Sequence, residues 1–318
     1  MDERERRQRH PQEQEQEQGQ AQDELARRFE AHRTHLRAVA HRMLGSLAEA
    51  DDAVQETWLR LSRVDGAEVE NLAAWLRTVL SRICLDMLRS RTSRREDPVG
   101  QRVPDRPWGA GDERAAGDPE GEAVLVDSVG RAMLVVLDTL APAERVAFVL
   151  HDMFAVPFDR IAPLVGRSPV TTKKLASRAR QRVRGTTDVP AAELDRHRAV
   201  VDAFLAASRG GDLDGLLAVL ASDVVRRADP QALPGGAATE VRGAREVARE
   251  TVYFGRRSRS AETALVNGAV GVVVAPHGRL LYALTCTVEG DRIAAFEVIA
   301  DPERLRGLEI AVLGGPVT

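Results

Sequence analysis

Residues 96–122 (EDPVGQRVPDRPWGAGDERAAGDPEGE) limit what this chain can fold into more than any other stretch. They hold eight acidic residues against three arginines, are dense in Pro and Gly, and show no apolar period. Such a segment cannot bury enough apolar surface to offset the entropy of ordering it. It reads as an extended acidic linker, so separate bodies must fold on either side of it. A shorter break at 186–191 divides the remainder again. The 318 residues therefore suit a multidomain chain.

The pieces differ in pattern. Residues 1–22 are rich in Gln, Glu and Arg with almost no apolar content, and composition predicts a disordered tail. Over 23–95 helical periodicity dominates, giving an all-α bundle. Phe29, Leu36, Val39, Ala40, Met43 and Leu44 form one stripe, Ala53, Val54, Trp58, Leu59 and Leu61 a second, and Leu72 to Leu88 a third. Its breaks fall near Gly45-Ser46 and across 64–71. Helical pattern returns in short pieces over 123–185. From 192 to 318 two amphipathic helices around Gly210-Gly211 precede runs at 264–274, 280–288 and 293–299, with turns at His277-Gly278 and Gly290-Asp291. Helices followed by an antiparallel meander predict an α+β domain.

Several function classes lose support. No apolar run approaches the roughly 20 residues of a membrane span, and the N-terminus lacks a signal-peptide core, so a cytoplasmic protein is expected. Cys84 and Cys286 are far apart among apolar neighbours and read as packing residues. There is no Cys/His cluster, phosphate-binding Gly loop or HExxH. No metal, cofactor or catalytic centre is expected. Net charge is only −3, but lysine occurs solely as Lys173 and Lys174, side by side.

That pair sits in the strongest local motif, 157–184. PFDRIAPLV is a short amphipathic helix, Gly166 supplies a turn, Ser168 can cap the next helix, and Pro169 suits its first position. The second helix, PVTTKKLASRARQRVR, carries Lys173, Lys174, Arg178, Arg180, Arg182 and Arg184 with no acid. Val170, Leu175, Ala179 and Val183 are assigned to its buried face. An acid-free cationic helix after a turn suits the DNA major groove, its early residues at base edges and its arginines on phosphates.

Two further segments complete the pattern: AEADDAVQETWLRL (48–61) and NLAAWLRTVLSRICLDMLRSR (71–91). Together these resemble region 2 of the extracytoplasmic-function sigma factors of RNA polymerase. LAPAERVAFVL (140–150) with the helix-turn-helix resembles their region 4. The resemblance implies sigma region 2 over 23–95 and region 4 over 123–185. It implies that Asp51, Asp52, Gln55, Glu56 and Trp58 dock on the clamp helices of the polymerase's largest subunit. Asn71, Arg77, Arg82, Arg89, Arg91, Arg94 and Arg95 would hold the −10 element, where unstacked bases are captured and the backbone gripped. Ser168, Thr171, Thr172, Lys173, Lys174, Ser177, Arg178, Arg180 and Arg184 would face the −35 element.

The tail from Leu281 to Leu305 resembles the SnoaL-like branch of the NTF2-like fold, a curved sheet with helices forming a cone. Some sigma factors carry this domain at the C-terminus as a built-in regulator. Two signatures of that subgroup are altered, at Arg102-Val-Pro-Asp-Arg106 and after Asp229, where Pro-Gln-Ala-Leu follows. An enzymatic cone would need an internal acid/base pair. The available groups are His197, Asp202, Asp229, His277 and Glu297, which form no evident pair. The expectation is a sigma factor that binds core polymerase and promoter DNA, modulated by its own C-terminal domain. The alternative is a ligand-sensing helix-turn-helix regulator acting without polymerase, for which region-2-like residues would have no use.

Overall fold

The computed structural model describes residues 3–64, 69–96, 130–255 and 260–313, with side chains left out at 3–21, 94–96 and 277. The acidic linker lies outside the described residues apart from its first position. Three helices open the chain: α1 (Glu3–Leu44), α2 (Leu47–Leu61) and α3 (Leu72–Glu96). α1 reaches back over the segment that composition marks as a disordered tail. Gln, Glu and Arg are good helix formers, so the helix continues where no core requires it. Gly45, at φ 76°, ends α1, and Ser46 caps α2 by accepting from the Glu49 N–H.

Four short helices follow: α4 (Arg131–Thr139), α5 (Pro142–Phe148), α6 (Phe158–Val165) and α7 (Pro169–Arg184), with a π-helical turn at Val149–Met153 after α5. They do not form a separate core. Leu36, Met43, Leu76 and Leu80 of the first bundle and Leu134, Phe148, Leu150 and Val165 of the second belong to one continuous buried cluster. Cys84 sits inside it, its thiol pushed up to about 12 by burial, which leaves it a packing residue.

The C-terminal domain begins with α8 (Ala191–Gly210) and α9 (Leu213–Val219). It continues through β1 (Leu220–Ala228), β2 (Glu240–Arg242), α10 (Ala244–Gly255), β3 (Ala261–Val266), β4 (Ala269–Val274), β5 (Tyr282–Glu289), β6 (Arg292–Ile299), α11 (Pro302–Arg306) and β7 (Ile310–Ala311). The seven strands form one sheet in the order β2-β1-β6-β5-β4-β3-β7. β3 to β6 are the expected antiparallel meander, but β1 lies parallel to β6, which makes the sheet mixed. Val201 and Phe204 of α8 pack on the inner face, with Phe204 5.4 Å from Phe296 between ring centroids. Helices over one face of a bent sheet give the α+β cone.

The run at 264–274 is a two-strand hairpin rather than one strand. Asn267 and Gly268 turn it, both at positive φ (52° and 79°), the type I′ geometry that Asn-Gly favours. Its apolar content is nearly continuous because both sheet faces are covered there. Leu265, Val270 and Val272 point into the cone, while Ala264, Val266 and Val273 pack outward against Ala132 of α4.

Candidate nucleic-acid interface

α7 is held by its buried face. Gly166, left-handed at φ 67°, ends α6, and the Ser168 hydroxyl accepts from the Thr171 N–H at 3.2 Å. Pro169 takes the first helical position, where a missing N–H is harmless. Thr172, Ala176, Ala179 and Val183 are buried, and α5 packs on this side. Lys173, Lys174, Ser177, Arg178, Gln181 and Arg184 are exposed. Among the described residues no ion pair forms with Lys173, Lys174 or Arg178, so a cationic strip faces solvent.

The sequence assignment needs correction at four positions. Thr172 is fully buried, its hydroxyl bonded to the Ser168 carbonyl at 2.9 Å, and it cannot reach a base. Arg180 is bound to Asp152 of the π-helical turn, and Arg182 to Glu144 of α5 at 3.3 Å, so neither guanidinium belongs to the free strip. Val170, expected inside, is 68% exposed. The errors at Val170 and Thr172 share one origin. Periodicity places the buried stripe only to within a residue or so, and Thr can serve a core when its hydroxyl finds a backbone acceptor.

On the first bundle, Asp51 accepts two bonds from Arg37, at 2.7 and 3.1 Å, and Glu56 pairs with Arg60 at 3.1 Å. Asp52 and Gln55 are exposed. Trp58 is partly buried, its ring 5.1 Å from Phe29 between centroids, so it anchors α2 as well as edging the surface. Asn71 caps α3 through the Ala74 N–H at 3.0 Å. Arg82 is exposed, Arg77 is half-buried, and Arg89 lies beside Asp86 at 3.8 Å. Arg91 reaches across to the Glu49 carboxylate and the Leu44 carbonyl, tying α3 to the α1–α2 corner. The side chains of Arg94 and Arg95 lie outside the described residues.

The seam between the bundles was not legible in the sequence. Phe154 follows the π-helical turn and meets His35 edge-on at 5.3 Å, with the Arg42 guanidinium 5.1 Å above its ring. Arg145 of α5 is 1% exposed. It reaches Asp138 at 3.3 Å, while its Nε and Nη2 groups find no hydrogen-bond acceptor among the described residues. Burial pushes this guanidinium down to about 10 despite Asp138.

The C-terminal domain grips the same structure at three points. Glu262 of β3 accepts from the N–H groups of Arg131 and Ala132, capping α4 where Gly130 offers no side chain. The Val312 N–H donates to the Val183 carbonyl at 2.9 Å, near the end of α7. Gly278 packs tightly against Leu134 and the Gly45 carbonyl, touching both helical bodies; a Cβ there would lie 3.1–3.2 Å from them.

Among the described residues, the acid/base candidates Asp202, Asp229, Glu297 and His197 do not line the open cavity of this domain, which Arg245, Glu246 and Arg292 border. Burial would raise the Asp229 carboxyl, but the N–H groups of Asp301 and Ala300 and the Arg304 guanidinium hold it below its usual range. Glu297 binds the same arginine at 2.8 Å. Asp202 pairs with Thr263 and Arg198, and His197 with Glu193 at 3.5 Å. The His277 side chain is outside the described residues. No group of three or more metal-ligating side chains occurs, and no helix is long and apolar enough to cross a membrane, among the described residues.

The sequence matches two protein families: Sigma-70 region 2 over residues 28–94 and Sigma-70 region 4 over residues 130–183. The ECF RNA polymerase sigma factor SigJ of Mycobacterium tuberculosis is 37% identical over 292 residues, covering 88% of this chain and 92% of the relative. The probable ECF RNA polymerase sigma factor SigI of that species is 33% identical over 295 residues, covering 92% and 99%. A crystal structure of Mycobacterium tuberculosis SigJ is 35% identical, covers 89% of this chain and 98% of its own, and has a TM-score of 0.43.

Proposed function

The chain belongs to the extracytoplasmic-function sigma factors, subunits that bind core RNA polymerase and promoter DNA to start transcription, and we propose how its parts divide that work. α7 reads the −35 element through Thr171, Lys173, Lys174, Ser177 and Arg178, with Ser168 and Arg184 at the strip's two ends. The exposed, ion-pair-free strip on an otherwise firmly packed helix is the observation that carries this reading. The exposed part of α2, with Asp52 and Gln55 free and Asp51, Glu56 and Trp58 beside them, docks on the clamp helices. The start and outer face of α3, from Asn71 through Arg77 and Arg82 to Arg89 and the arginines after it, hold the −10 element.

The C-terminal domain acts as an internal regulator, not a catalyst. Elements named for positions 35 and 10 lie about 25 base pairs apart, or roughly 85 Å at ~3.4 Å per pair. Two bodies that share one core cannot span that distance, so promoter reading requires the seam to part. The bonds from Glu262 and Val312 and the wedge at Gly278 favour the closed arrangement. Engagement of Asp229 and Glu297 with Arg304 supports the non-catalytic reading. The protein acts in the cytoplasm, beside its polymerase.

A band-shift titration separates this reading from a polymerase-independent regulator. With duplex from the protein's own upstream region, the chain alone is expected to show only weak, salt-sensitive binding. Added core polymerase is expected to produce a sequence-selective complex. Tight selective binding by the chain alone, unchanged by core polymerase, would be the signature of the regulator.

A further inference from the structure

The first turn of α7 exposes an apolar side chain that the fold does not use. Val170 is 68% exposed, the largest exposure among the big apolar residues described. It belongs to no buried cluster, and a β-branched residue is not favoured in a helix. Its placement is regular. The buried positions 172, 176, 179 and 183 recur on one line of the helix, and 170, 174, 177 and 181 repeat the same spacing two residues earlier. Two residues are about 200° of rotation, so the second line runs along the side opposite the core. Val170 therefore shares a line with Lys174, Ser177 and Gln181, with Lys173 and Arg178 flanking it.

We infer that Val170 is a specificity residue that reads the 5-methyl group of a thymine in the −35 element. This rests on α7 being the DNA-facing helix, as proposed above. The opening residues of a recognition helix are the ones that reach base edges. In the major groove the only apolar group on any base pair is the thymine methyl. Val170, about one turn before Lys173 and Lys174 at the start of the strip, is placed to cover that methyl and exclude water from it. The other residues of the line, Lys174, Ser177 and Gln181, are hydrogen-bonding groups and cannot discriminate for a methyl.

Deoxyuridine tests this directly, because it differs from thymine only in lacking that methyl. Holoenzyme made from core polymerase and the full chain would first select a −35 sequence from a randomised duplex. Each thymine in the selected element is then replaced singly by deoxyuridine. The native holoenzyme is expected to lose about threefold to fivefold in affinity at one position, the effect of one buried methyl. With V170A that thymine-to-deoxyuridine ratio is expected to fall to about one, the lost contact being the only change. K174A is expected to weaken both duplexes equally. Because Val170 is 68% exposed and belongs to no buried cluster, V170A does not endanger the fold. Insensitivity to deoxyuridine at every position, or an unchanged ratio in V170A, would overturn the assignment of Val170. Failure of the holoenzyme to select any −35 sequence would instead overturn the reading of α7 itself.

Discussion

Changing Lys173, Lys174 and Arg178 together to alanine is expected to cut promoter-directed initiation by at least about a hundredfold, since base and phosphate contacts contribute roughly 1–3 kcal/mol each. Even at the lower bound, three such contacts sum to about 3 kcal/mol, a factor near 150 in affinity. Two further results separate loss of DNA contact from loss of fold. Core-polymerase binding should stay within about twofold, because the surface proposed for it is on α2 and these side chains have no ion pair to break. The salt dependence of promoter binding should also flatten, by up to about 0.9 in log–log slope for each phosphate contact removed. A triple variant that initiates normally would remove α7 from promoter recognition.

The second large effect concerns the seam. Replacing Arg145 with methionine is expected to strengthen the closed arrangement and to depress initiation, although the residue is buried and not part of the solvent-facing strip. The native guanidinium is buried between the bundles with one partner at 3.3 Å and two N–H-bearing nitrogens unsatisfied. Opening the seam restores its hydration, so the charge favours opening. An apolar side chain of similar volume removes that drive, and exchanges of buried ionic groups for apolar ones stabilise by about 1–4 kcal/mol when packing is kept. The Asp138 side chain is 38% exposed, so it keeps its contact with water in the variant. Each 1.4 kcal/mol is a tenfold shift between closed and open forms, so a fall of about fivefold or more in initiation is expected. Thermal unfolding should move up by several degrees, on the order of 2–8 °C. A lower melting temperature with initiation unchanged would show that Arg145 is a structural support and not a source of opening.

What the sequence disclosed depended on the range of the forces involved. Helix limits around α2 and α7 were legible because caps are local: Ser46, Ser168, Pro169 and Gly166 act within four residues of their effect. The region-2 and region-4 resemblance carried the assignment of helical bodies, and the family matches agree with it. The parallel pairing of β1 with β6 was not legible, since it joins residues some 70 positions apart with no local turn to announce it. The hairpin at Asn267-Gly268 did have a signal, an Asn-Gly pair, but it was masked by an apolar run that both sheet faces bury.

At the site, composition located the cationic helix but could not say which charges are free. Arg180, Arg182 and Arg91 look like Lys174 or Arg82 in sequence. They differ only because Asp152, Glu144 and Glu49 come to them from other elements. Val170 and Thr172 were exchanged for a related reason: burial follows the helix's rotation against α5, and a valine two positions before a threonine gives no clue to it. The grip of the C-terminal domain rests on Glu262, 131 residues beyond the N–H of Arg131 that it caps, and nothing local marks that carboxylate as a helix cap.

The most direct test of the central claim is run-off transcription from the protein's own upstream region with core polymerase and the full-length chain. A discrete start that requires both components and disappears with the triple alanine variant at Lys173, Lys174 and Arg178 is expected. No transcript from the combination, with the chain alone binding that DNA tightly and selectively, would contradict it.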